Sequence, residues 1–153
     1  MENGALLFLR LLALVVSLFT MHGAQAALTI NNDGTVTDPT TGLTWMRCSM
    51  GQTWDGSTCT GTPSTYTFDQ ANALTTAFAG KSDWRMPNIR ELQTIVNRSV
   101  YNPAIDSAAF PNTPDSDFWS GSPYASSSGS AWGVNFTYGL CLLYTSLSKK
   151  RGF

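Results

Sequence analysis

Gly80-Lys-Ser-Asp-Trp-Arg-Met-Pro-Asn-Ile-Arg-Glu-Leu-Gln-Thr-Ile-Val-Asn97 is the stretch from which the fold is read. Gly80 suits the end of a helix, because the left-handed backbone region carries no side-chain penalty for glycine. Pro87 pushes Met86 away from helical dihedrals, so Trp84–Met86 is expected to be extended. Asn88 stands three residues before Glu91, the spacing at which two side chains reciprocally satisfy free amides at a helix start. Ile89, Leu92, Ile95 and Val96 then share one apolar face about two turns long. The whole reads as a strand, a turn and a helix over 89–96. Trp84, Arg85, Pro87 and Glu91 are accordingly placed in the structural core.

Working outward, Thr67 and Gln70 repeat the capping spacing. Phe68, Ala71, Leu74 and Phe78 follow at near-helical intervals, which predicts a second helix from Phe68 to Ala79. Further upstream, Leu28–Ile30 and Thr35–Thr37 read as strands joined by the tight turn Asn32-Asp33-Gly34. Asp38–Gly42 is a second turn, leading into Leu43–Arg47, where Leu43, Trp45 and Arg47 share a face. Turn chemistry accounts for Asp33 and Asp38 without calcium. Downstream, residues 97–117 carry three prolines and little periodicity, either a functional loop or one packed down by Tyr101, Ile105 and Phe110. Phe118–Ser120 and Ala131–Phe136 read as strands around a serine-rich turn, with Trp132, Val134 and Phe136 on one face. Trp45, Trp84, Trp119 and Trp132 are all expected in the core.

Composition narrows the function. Only 12% of the 153 residues are charged and the formal net charge is −1, so no bulk electrostatic case for nucleic acid exists. Residues 1–26 read as a secretory signal: Arg10, the apolar run Leu11–Phe19, and the small-x-small site Ala24-Gln-Ala26. Its removal leaves a single domain, 27–153, with no stable membrane span, expected to be secreted, periplasmic or on the cell surface. His22, the one histidine, would leave with it. In an oxidising compartment Cys48 and Cys59, flanking a polar loop with two glycines, form a disulfide by default; two free buried thiols are the rival state. A zinc site lacks further ligands nearby. Cys141 is then the odd cysteine.

The motifs Trp84-Arg85-Met86-Pro87 with Glu91-Leu92, and Asp33-Gly-Thr-Val-Thr-Asp-Pro-Thr-Thr-Gly-Leu-Thr-Trp-Met-Arg-Cys48, resemble a bacterial extracellular family. It is typified by the C-terminal domain of the collagen-like adhesin Lcl, and similar phrasing occurs in the sulfatase-modifying (formylglycine-generating) group. The resemblance implies an α+β, C-type-lectin-like fold, with two helices around a short antiparallel sheet. It also implies that the 97–117 segment is packed down, since Asn102-Pro-Ala-Ile-Asp106 and Ala109-Phe-Pro-Asn-Thr113 are similar to the family's linker. By the same comparison the end departs from the pattern. Leu140–Ser146 is not the expected polar hairpin, and the chain stops at Arg151-Gly-Phe153, so the domain is expected to lack its last strand and to leave a sheet edge unpaired.

The function this supports is a non-enzymatic binding and adhesion module whose partner is a glycan or a surface protein. With no histidine after residue 26 there is no Ser-His-Asp or Cys-His set, and no cofactor or metal is assigned. Trp54, inside the Cys48–Cys59 loop, is the leading candidate for ligand contact; its alternative is packing on the base of its own loop. Asn112, Asp115 and Asp117, with Asn135 beside them, are a second candidate of lectin-type calcium character. Sulfated-glycan binding, which resemblance to the Lcl domain would imply, needs basic clusters, and Lys149-Lys150-Arg151 is the one run available. Two other classes stand beside this reading: a degenerate relative of the formylglycine-generating group, and a structural subunit of a surface assembly. Oligomeric state is not written in the sequence.

Overall fold

The computed structural model describes residues 27–153; the signal segment expected at 1–26 lies outside the described residues. The chain is mostly β, with three antiparallel sheets and two short helices. β1 (Thr29–Ile30), β2 (Thr35–Thr37) and β3 (Thr44–Met46) form the first sheet in sequence order. β4 (Thr53–Trp54) and β5 (Cys59–Thr60) form a two-stranded ribbon inside the cysteine loop. β6 (Asp117–Pro123), β7 (Ser130–Asn135) and β8 (Leu140–Thr145) form the third sheet. Between the ribbon and that sheet come α1 (Phe68–Asn72) and α2 (Ile89–Thr94).

Both helix starts follow from their spacing. Asn88 Oδ1 accepts from Glu91 N–H at 3.0 Å while Glu91 Oε2 accepts from Asn88 N–H at 2.8 Å. Thr67 and Gln70 make the same reciprocal pair at α1. Their ends differ from expectation. α1 stops at Asn72, not Ala79, because Ala73 already closes the last turn and the next residues include the β-branched pair Thr75-Thr76. Phe78 and Lys81 instead bridge each other across Ala79 (φ 51°) and Gly80 (φ 73°), a turn in which both central residues are left-handed. Gly80 therefore closes a tight hairpin and does not cap a helix.

The third sheet is covered on both sides. Phe118, Val134 and Phe136 belong to the main core with Val36, Trp45, Leu92, Ile95, Ile105 and Phe110. Trp119 and Ala131, one residue along, turn to a second cluster with Ala71, Phe68 and Tyr66. Trp119 is 1% exposed and its indole N–H donates to the Tyr66 carbonyl at 2.9 Å. Trp132, expected in the core, is only half-buried, opposite the irregular stretch of β6 between Trp119 and Pro123 and edge-on to Tyr124 at 5.9 Å. Within the 97–117 segment Ile105 and Phe110 are buried as the resemblance implies. Tyr101 is 71% exposed, because Ala104 and Ile105 already occupy the inward positions beside Val96.

The end of the chain is integrated. β8 pairs with β7 from Ser130↔Thr145 to Asn135↔Leu140. Arg151 then runs parallel to β6, accepting from Trp119 N–H at 2.9 Å and donating to the Asp117 carbonyl at 3.0 Å. Phe153 stacks on Phe118 at 4.7 Å and meets Phe110 and Phe136 edge-on. The last residues thus occupy the outer edge of β6, and the sheet edge left without a partner is that of β8, with Leu140, Leu142 and Leu143 partly in solvent.

Candidate functional site

The disulfide Cys48–Cys59 is formed, with Cα atoms 5.4 Å apart, and closes the β4–β5 ribbon. Trp54 does not stand out from it. Its ring lies under the Arg47 guanidinium at 4.3 Å, and a side chain at Gly34 would meet the indole at 2.7 Å. Arg47 is itself buried and fixed by donating to the carbonyls of Ala109 and Ala108 at 2.8 and 2.7 Å. Trp54 is therefore a half-buried packing residue on the base of its own loop.

Asn112, Asp115 and Asp117 are not brought to one place. Asn112 Nδ2 donates to the Cys59 carbonyl at 2.8 Å and to Thr58 Oγ1 at 3.2 Å, latching the long loop onto the disulfide ribbon. Asp115 is exposed, and its main-chain carbonyl accepts from Thr137 Oγ1 at 3.1 Å. Asp117 turns to the sheet, accepting from the Tyr144 hydroxyl at 2.6 Å and Asn135 Nδ2 at 2.7 Å and pairing with Lys150 at 3.0 Å. Burial works to raise its pKa, but these three donors outweigh burial and hold the carboxyl below its ordinary value. Burial first, and then Asp117, pushes the Tyr144 phenol well above its own. Among the described residues no group of three or more His, Cys, Asp or Glu side chains is placed to hold a metal ion.

The concavity of interest lies elsewhere, where the first sheet faces the segment before α2. A cleft of about 240 Å³ runs between β3, represented by Thr44, Trp45 and Met46, and the extended segment Lys81–Pro87, with Glu91 of α2 and Phe153 completing the lining. Trp84 is half-buried here, not core. Its indole N–H donates to the Phe78 carbonyl at 3.1 Å and its ring inclines against Phe78 at 6.3 Å, so the small hairpin orients it. Arg85 is likewise no core residue: its side chain is 60% exposed and forks onto Glu91 with bonds of 2.8 and 2.7 Å. The Arg85 hydrogen bonds hold the Glu91 carboxyl below the usual range, and Glu91 in turn raises Arg85. Pro87 is buried as expected. Extended chain before a proline, followed at once by a capped helix, places Trp84, Arg85 and Glu91 on one wall.

Lys81 and Asp83 complete that wall and were not singled out from the sequence as contact residues. The signal was present in the charges at every second residue, Lys81, Asp83 and Arg85, around Trp84.

The family model of the Lcl C-terminal domain matches residues 34–151, most of the described chain. The chain belongs to the Lcl C-terminal domain family. Neither the curated proteins nor the solved structures yield a match. The matched region holds β2 through β8 and both helices of this Lcl C-terminal domain, and with them every cleft residue named above except Phe153. Among the described residues no helix is long and apolar enough to cross a membrane.

Proposed function

We propose that this Lcl C-terminal domain is a non-enzymatic binding and adhesion module, exported from the cytoplasm, that takes a glycan or a surface protein in the cleft between β3 and Lys81–Pro87. The observation that carries the reading is the cleft wall itself. A half-buried indole stands beside a forked Arg85–Glu91 pair, on a segment held by a proline, a hairpin and a helix cap. An aromatic face flanked by fixed polar forks is a recognition surface with little entropy left to lose.

Export is supported by the Cys48–Cys59 bond, of a kind that persists in oxidising compartments. The non-enzymatic reading is supported by the commitment of the cleft's glutamate to an ion pair and a helix cap, which leaves it poorly placed for proton transfer. Formylglycine-type chemistry would need a second thiol for Cys141, and the other two cysteines are joined to each other. A C-type-lectin-like fold belongs to the same proposal; its support is the motif resemblance, with two short helices beside antiparallel sheets.

The test is binding of the purified domain to a glycan array and to a set of immobilised surface proteins, wild type against Trp84→Ala and Trp54→Ala. Loss of signal in Trp84→Ala with retention in Trp54→Ala is the expected result. The reverse pattern returns the site to the disulfide ribbon.

A further inference from the structure

Resting on the reading of the cleft as the binding site, we infer that it accepts an extended stretch of polypeptide, added to the free edge of β3 as a fourth strand of the first sheet. β3 ends the order β1-β2-β3, and among the described residues no strand or bridge lies on its outer side. The direction of its main-chain groups follows from its bonds to β2. Arg47 N–H donates to the Gly34 carbonyl at 3.1 Å, and the Leu43 carbonyl accepts from Asp38 N–H at 2.8 Å. Trp45, between them, is in register with Val36. Leu43, Trp45 and Arg47 thus turn their main-chain groups towards β2. By the alternation of an antiparallel ladder, Thr44 and Met46 turn theirs away from it. Both residues line the cleft, so two donors and two acceptors stand open along this wall, about 7 Å apart.

The opposite wall is main chain too. Residues 82–86 lie between the Phe78–Lys81 hairpin and Pro87, whose carbonyl accepts from Gly121 N–H at 2.7 Å. Among the described residues none of the five amides of 82–86 makes a backbone hydrogen bond. A cleft walled by two unpaired lengths of chain is a slot for a third. Free groups on a sheet edge are what strand addition uses for affinity, while neighbouring surfaces read alternate side chains of the guest.

The lining defines that guest. Lys81 and Arg85 are balanced by Asp83 and Glu91, so the slot has no net charge and suits a neutral main chain. The half-buried Trp84 ring, tied through its N–H to Phe78 at 3.1 Å, offers a fixed apolar surface to one guest side chain. β3 is three residues long, so the paired stretch is about three or four residues, on the order of 10 Å. Proline is excluded wherever a guest amide meets the Thr44 or Met46 carbonyl.

The probe is a random heptapeptide library displayed on phage and panned against the immobilised protein, the strongest sequence then being synthesised and titrated by calorimetry. Expected is an enriched peptide that, at saturation, slows amide exchange at Thr44 and Met46 about tenfold or more. Trp45, already paired with Val36, should exchange as before. Thr44→Pro removes one outward amide and leaves the bonds to β2 in place; it should weaken the peptide about tenfold, as should Trp84→Ala. The exchange pattern is read on the wild type and does not depend on how Thr44→Pro folds. The glycan array is run beside these measurements with the same variants. Failure to enrich any peptide overturns the inference, and so does an enriched peptide that leaves Thr44 and Met46 exchanging as before. In either case, an array signal lost in Trp84→Ala leaves the cleft reading standing, and an array signal retained there overturns that reading as well.

Discussion

Three tryptophans in one small domain carry different duties, and their surroundings say which. Trp119 is 1% exposed, hydrogen-bonded to Tyr66 and edge-on to Phe68 and Tyr144. Trp119→Ala should therefore cost about 3–5 kcal/mol in denaturant unfolding, the range for emptying a buried aromatic site. Trp84 is half-buried and anchored through one bond, so Trp84→Ala should cost roughly 1–2 kcal/mol and leave a folded domain. Equal losses at the two positions would mean that Trp84 is core after all. The sequence marks all three as large and apolar, and that much is legible. Whether a ring is covered depends on which residue arrives against it: Tyr66 and Tyr144 for Trp119, Gly34 and Arg47 for Trp54. No local spacing encodes those arrivals, so the core reading of Trp84 and the exposed reading of Trp54 both changed.

At the scale of elements, the helix starts were legible because a capping box is completed within four consecutive residues. The length of α1 was not, since the Phe78–Lys81 hairpin that replaces its end is a contest between two local structures. The capped start of α2 also sets an acid limit. Glu91 is held below its ordinary 4.5 by Arg85, so its contribution to stability is complete above that value. That contribution is lost as pH falls through the lower folded value. Asp117 behaves in the same sense below 3.8. Melting temperature should hold down to about pH 4.5 and then decline, more shallowly in Glu91→Gln; a decline beginning above pH 6 would point to other groups. The disulfide ribbon gives a second expectation at this scale. Replacing Cys48 and Cys59 together by alanine should remove about 2–3 kcal/mol, the loop being short. Reductant should lower the melting temperature of the wild type and not that of the double variant. Insensitivity of the wild type to reductant would show the Asn112 latch holding the ribbon without its covalent closure.

Across the whole molecule, the opening β-sheet, the signature segment and the last residue meet at one place. Phe153 closes the core against Phe118, Phe110 and Phe136 and also borders the cleft. Phe153→Ala should destabilise the domain by about 3 kcal/mol or more despite lying at the chain's end; unchanged unfolding would mean the tail is not docked. That docking was hidden in the sequence because it rests on pairings far apart in the chain, Arg151 with Phe118 and Lys150 with Tyr66. The cleft was hidden for the same reason: its walls are some forty residues apart, and although a family motif marks each of them, nothing local says that the two motifs face each other. The most direct test reads the indole N–H resonances, one for each of the five tryptophans, while the glycan or surface protein that scores on the array is added. The account expects the Trp84 resonance to move first and furthest, with Trp45 following and Trp54 still. Movement of Trp54 with Trp84 unchanged would contradict it.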